Sequence, residues 1–158
     1  MMQKDGSAPR SGPDMPDSMT RLRRELADPP FHSILHPMPE RVGPDGSVVI
    51  RLAYRPEFSG RQGANFFHGG VIAALVDLAA HAVVALHKGQ MAPTVDLRVD
   101  YLRPAQSEYL LASARVLKLG NSISRTDVEV QNADGQVVAV GRGAFDTRIK
   151  AEISPQTL

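Results

Sequence analysis

Two glycines follow a histidine at His68-Gly69-Gly70, and an aspartate stands nine residues after that histidine, at Asp77, inside an apolar run. Glycines just ahead of a helix let a backbone or ligand approach its first turn closely. Unpaired N–H groups and the positive end of the helix dipole can hold a developing oxyanion there. A carboxylate two turns further along needs a partner or a purpose, because burying an unpaired charge is costly. Each feature also has an ordinary reading: a tight turn with His68 as the helix cap, and a buried aspartate accepting structural hydrogen bonds. Their spacing, together with the order of the elements around them, points to chemistry instead.

Those elements can be read from periodicity. The run from Val71 to Leu86 is rich in alanine and apolar nearly all round, which predicts a helix buried on most sides and stopped by Gly89. Beyond it the period becomes two. Val95, Leu97, Val99 and Tyr101 alternate with Thr94, Asp96, Arg98 and Asp100 until Pro104 closes the strand. Further strands are expected over residues 110–118, 124–130 and 137–145, the last two joined by an Asp134-Gly135 hairpin turn. Ahead of the helix, Gly43-Pro44-Asp45-Gly46 signals a turn before a strand carrying Val48, Ile50 and Leu52. Thr20 is expected to cap a short helix bearing Leu22 and Leu26, with Phe31, Ile34 and Leu35 docking this lead-in on the core. One buried helix among consecutive strands predicts an α+β fold, an antiparallel sheet curled around a central helix. A two-layer sheet with the helix on an open face is the alternative, and the apolar circumference of the helix favours wrapping. We expect a single domain over residues 20–150, a disordered tail over 1–19 and a C-terminal tail over 151–158.

Composition narrows the function. A length of 158 residues suits one domain, and 42% apolar with 22% charged residues is the balance of a folded protein. A formal net charge of +1 gives no bulk attraction to nucleic acid or membranes, so neither is expected as a partner. With no cysteine, thiolate nucleophiles, disulfides and cysteine zinc sites are excluded together. The N-terminal stretch lacks the apolar core of a secretory signal, and a cytoplasmic location is the expectation. His32 and His36 have helical spacing, but Pro37 argues against a helical metal site, and no metal is expected.

The motif His68-Gly69-Gly70-x-x-x-x-Leu75-Val76-Asp77, followed by Thr94-Val95-Asp96-Leu97-Arg98-Val99-Asp100-Tyr101-Leu102-Arg103-Pro104-Ala105, resembles the PaaI-like acyl-CoA thioesterases of the 4-hydroxybenzoyl-CoA thioesterase superfamily. The runs Leu119-Gly120-Asn121-Ser122 and Val138 to Phe145 also fit, so the resemblance covers roughly residues 30–147. It implies the hotdog fold and hydrolysis of acyl-CoA or aryl-acyl-CoA thioesters, with no cofactor because coenzyme A is part of the substrate. It also implies a homodimer or homotetramer whose sites are shared by two chains. Carried over by position, Asp77 is the general base or nucleophile, and Gly69 supplies the N–H that polarises the carbonyl. Gly70 shapes the same turn, His68 orders the loop and touches substrate, and Thr94 positions the water or the carboxylate. Where relatives have an asparagine six residues before the histidine, this chain has Gln62, with Asn65 three before; glutamine can donate the same amide bond from a longer arm. His81 replaces a small residue and, four residues after Asp77, shares its helix face, within reach of the carboxylate.

Coenzyme A carries phosphates, for which Arg103, Lys118, Arg125 and Arg142 are the candidate basic groups. Phe66, Phe67 and Met91 are candidates for lining an acyl pocket. Two other functions compete with hydrolysis: a hotdog hydratase or dehydratase using His68 or His81, and a non-catalytic acyl-CoA-binding module. The second needs a partner-binding or DNA-binding element that the first 30 residues are too short and proline-rich to supply.

Overall fold

The computed structural model of the protein describes residues 15–148. Along the chain run helices α1 (Met15–Ala27) and α2 (His32–Leu35), strands β1 (Met38–Val42) and β2 (Val48–Ala53), and helix α3 (Gly69–Lys88). Strands β3 (Thr94–Tyr101), β4 (Tyr109–Lys118), β5 (Ile123–Asn132) and β6 (Val137–Asp146) follow. The strands form one antiparallel sheet in the order β1-β2-β4-β5-β6-β3, which curls around α3 in the hotdog arrangement.

The core is the contact between α3 and the inner face of the sheet. Leu75, Val76, Ala79 and Val83 of α3 are fully buried, as are Ile50, Leu110, Val130 and Phe145 of the strands. Alanines keep the helix thin, and the sheet comes close. At Gly141 of β6 an added Cβ would lie 2.4 Å from Val76 Cγ1, so the helix seats there only because the side chain is absent. Gly89 ends α3 at φ 69°, in the left-handed region, and donates its N–H to the Ala85 carbonyl. At 20 residues α3 exceeds the Val71–Leu86 run and reaches the length of a membrane span, but most of its surface is taken up inside the fold.

Four details depart from the expectations. Helix α1 starts at Met15, so the expected tail overlaps a helix, and Thr20 lies inside that helix rather than capping it. Leu22 and Leu26 are buried as predicted, with Ser18 beside them; residues 1–14 and the expected tail 151–158 lie outside the described residues. Strand β1 was not legible in Met38-Pro39-Glu40-Arg41-Val42, because proline argues against a strand; it survives at the sheet edge, with a bulge between Pro39 and Arg41. Phe31 and Ile34 do not dock on the core; they stand 54% and 60% exposed, and only Leu35 turns inward.

The fourth departure is in β3. Strict alternation puts Thr94 on the same face as Asp96, Arg98 and Asp100. The register slips between Thr94 and Asp96: Thr94 pairs with the buried Phe145, whereas Asp96 pairs with Ala144. A bulge at Val95 therefore rotates Thr94 onto the face that meets α3.

Candidate active site

His68 adopts an extended backbone (φ −61°, ψ 139°) and caps α3, its Nδ1 accepting the Gly70 N–H at 2.9 Å. Its carbonyl accepts the N–H groups of Val71 and Ile72. The Gly69 N–H is left without a partner among the described residues, at the positive end of the helix dipole. The two glycines thus have different reasons. A Cβ on Gly70 would lie 3.0 Å from His68 Nδ1, so a side chain there would crowd the cap. A Cβ on Gly69 would come nearest to the Tyr101 side chain, at an ordinary 3.5 Å, so the fold has room for a methyl at this position. Tyr101 was not singled out by the sequence; its hydroxyl donates to the Gly69 carbonyl at 2.8 Å and ties β3 to the helix start.

Asp77 is half-buried on the one face of α3 that the sheet leaves uncovered, along with Val71, Ala73 and Ala74. Thr94 Oγ1 donates to its Oδ1 at 2.9 Å, and Oδ2 has no partner among the described residues. One carboxylate oxygen is held and the other is available to a water or an acyl carbon. The bulge at Val95 makes this possible, since a regular strand would aim Thr94 away.

Other sequence candidates lie elsewhere. His81 does not reach Asp77: its Nδ1 lies 3.0 Å from Glu25 Oε1, and its Nε2 accepts the Ala92 N–H at 3.3 Å. Phe67 is 2% exposed and packs edge-on against Tyr54, which makes it core rather than pocket lining. Asn65 accepts from Gln106 Nε2 at 2.8 Å, and the Gln62 side chain is exposed in the loop before it. Lys118 and Arg125 face each other across β4 and β5 on the outer side of the sheet, which parts them from Asp77. Arg142 is committed to Asp127, with bonds of 2.7 and 3.1 Å, and that hydrogen bond raises its pKa above the ordinary arginine value. Arg103 stays exposed just after Tyr101, on the edge of the sheet that carries Thr94.

A concavity of about 510 Å³ adjoins the helix start, with Phe31, Ile34, Val71 and Ala74 as its apolar wall and His68, Gly70 and Arg55 among its polar lining. Sequence reasoning missed this wall. Its signal was present: Phe31 and Ile34 are three residues apart and share a face, while the next residue, Leu35, points inward.

The model of the family described as Thioesterase superfamily matches residues 64–139, the stretch from the loop ahead of His68 to the start of β6. A Halobacterium salinarum protein named provisionally as an esterase is 36% identical over 112 residues, 64% of this chain and 74% of its own length. The chain belongs to the thioesterase superfamily. Within it, the medium/long-chain acyl-CoA thioesterase YigI of Escherichia coli is 31% identical over 112 residues, covering 60% of this chain and 72% of that protein. A solved structure from the superfamily superposes with a TM-score of 0.79 at 31% identity, over 84% of this chain and 99% of its own. The E. coli PaaI protein of the phenylacetic acid degradation operon shares the fold, with a TM-score of 0.74 at 22% identity over 86% of this chain and 96% of its own.

Proposed function

We propose that this thioester hydrolase cleaves acyl-CoA into free acid and coenzyme A in a site built by two copies of the chain. Asp77 acts as base toward the attacking water, or as the nucleophile itself, and the Gly69 N–H receives the negative charge that develops on the carbonyl oxygen. With Asp77 as base, collapse of the adduct breaks the C–S bond and the departing thiolate takes up the proton drawn from water. With Asp77 as nucleophile, the thiolate leaves first and water then opens the acyl–Asp77 anhydride, freeing the acid and the carboxylate. The similarity to YigI supports the acyl-CoA class. The apolar wall of Phe31, Ile34, Val71 and Ala74 supports an acyl chain lying beside the helix start.

One observation carries the shared site. Gly69 and Asp77 lie eight residues apart on one helix, hence about 12 Å apart along its axis. That is further than a carbonyl with one hydrogen bond on either side, each of about 3 Å, can bridge. A second chain placed antiparallel along α3 brings the Asp77 of one copy opposite the Gly69 of the other. Strand β3 supports the same pairing: it is a sheet edge of eight residues whose Val95 and Tyr101 are 60% and 52% exposed. The hydratase alternative needs a histidine facing the carboxylate, but His68 caps the helix and His81 turns to Glu25.

Asp77→Asn tests the reading. It preserves shape and hydrogen-bonding reach while removing the charge, so kcat with acyl-CoA substrates should fall by ~10²–10⁴-fold with KM little changed. The melting temperature should stay level or rise. Retained turnover with a lowered melting temperature would make Asp77 structural. Light scattering should return at least twice the mass of the chain; a fully active monomer would sink the shared site.

A further inference from the structure

His81, one turn beyond Asp77 on α3, has no task in the hydrolysis described above, yet both of its ring nitrogens are occupied. An amide N–H can only donate, so Nε2 presents its lone pair to Ala92, and the ring proton sits on Nδ1, facing Glu25 of α1. Ala92 is fully buried, and without the ring its N–H would be an orphan donor. Two residues later comes Thr94, whose hydroxyl holds Asp77. Between them Pro93 has a fixed φ, and its carbonyl accepts the Asp146 N–H at 2.9 Å. The stretch from Ala92 to Thr94 is therefore a short, stiff link between β6 and α3. It meets α3 at two points one turn apart, His81 to Ala92 and Asp77 to Thr94. A single bond would let the link pivot, whereas two fix its rotation as well as its distance.

We propose that His81, backed by Glu25, is a positioning residue of the reaction: by pinning Ala92 it places the Thr94 hydroxyl against the Asp77 carboxylate. The inference rests on the hydrolytic role of Asp77 given above, and it joins α1 to the active site. It also explains why the bulge at Val95 follows at once, since the chain must leave the pinned link and regain strand register within a residue.

The test compares His81→Phe, His81→Gln, Thr94→Val and the double variant His81→Phe/Thr94→Val, with Asp77→Asn as control. Turnover of an acyl-CoA is followed by trapping the released thiol. Phenylalanine keeps the ring volume without an acceptor, and kcat should fall about 10-fold with KM unchanged. Glutamine offers a carbonyl to Ala92 and an amide to Glu25, and should restore kcat to within about 2-fold of the unmodified protein. The double variant should be no slower than Thr94→Val alone, because both changes break one chain of contacts. Losses that multiply, or a His81→Phe protein whose folded fraction keeps full kcat, overturn the proposal. Should His81→Phe fail to fold, Glu25→Ala carries the same comparison, with an expected loss of about 3-fold that disappears in the Thr94→Val background. An active Asp77→Asn control would fell the hydrolytic reading itself; an inactive control beside multiplying losses overturns only the link.

Discussion

In its N-terminal half α3 keeps an unpartnered Gly69 N–H, a half-exposed Asp77 and small residues bordering a concavity. At the other end Arg21 of α1 donates to the Leu86 carbonyl at 2.8 Å, His87 Nδ1 lies 2.7 Å from the Val83 carbonyl, and Gly89 closes the last turn. Both ends of any helix begin with unsatisfied backbone groups. Here two of the C-terminal carbonyls, those of Ala85 and Leu86, are met by the protein, whereas an N-terminal donor is left for something else. The candidate site and the closed terminus thus lie in opposite halves of one element, and different measurements should report on each.

The strongest way to break this contrast is at Gly69. Because an added Cβ there comes nearest to the Tyr101 side chain, at an ordinary 3.5 Å, Gly69→Ala should fold with an unchanged melting temperature while kcat drops by about 10²-fold, the methyl displacing the approaching carbonyl. An unimpaired Gly69→Ala enzyme would take the oxyanion role away from this turn. At the closed end the effect should reverse. Leu86→Ala, at a buried site, should destabilise the fold by about 2–3 kcal/mol in denaturant titrations and leave kcat of the folded protein intact. Arg21→Ala should have the smallest effect, about 1 kcal/mol, from loss of a carbonyl partner and of a positive charge at the helix C-terminus. If either C-terminal change lowered kcat more than stability, the two ends would not be separable.

The helix, β2, the four later strands and the hairpin at Asp134-Gly135 were legible because each rests on a local signal: period, cap or turn residue. The motif from His68 to Asp77 was legible for the same reason. What escaped depends on contacts distant in sequence. The bulge at Val95 leaves no mark on the alternation of β3, yet it decides which way Thr94 faces. His81 was drawn toward Asp77 by helical spacing, but its real partners lie on α1 and in the stretch before β3, 56 residues and 11 residues away in the chain. Phe31 and Ile34 read as core because they are apolar, whereas the fold leaves them bordering the site.

Gly141 sets how deeply α3 sits on the sheet, and it does so by contact between Val76 and bare backbone. A steric stop of this kind has no charge to titrate and no hydrogen bond for water to compete with. Water and mild changes of solvent can compete for the Glu25–His81 hydrogen bond, but they have little purchase on the stop. The height of the next residue, Asp77, above β6 should accordingly hold constant across buffers, while the lateral setting of Thr94 drifts with them. The Asp77 carboxylate is located by two references of different kinds, one indifferent to the medium and one responsive to it.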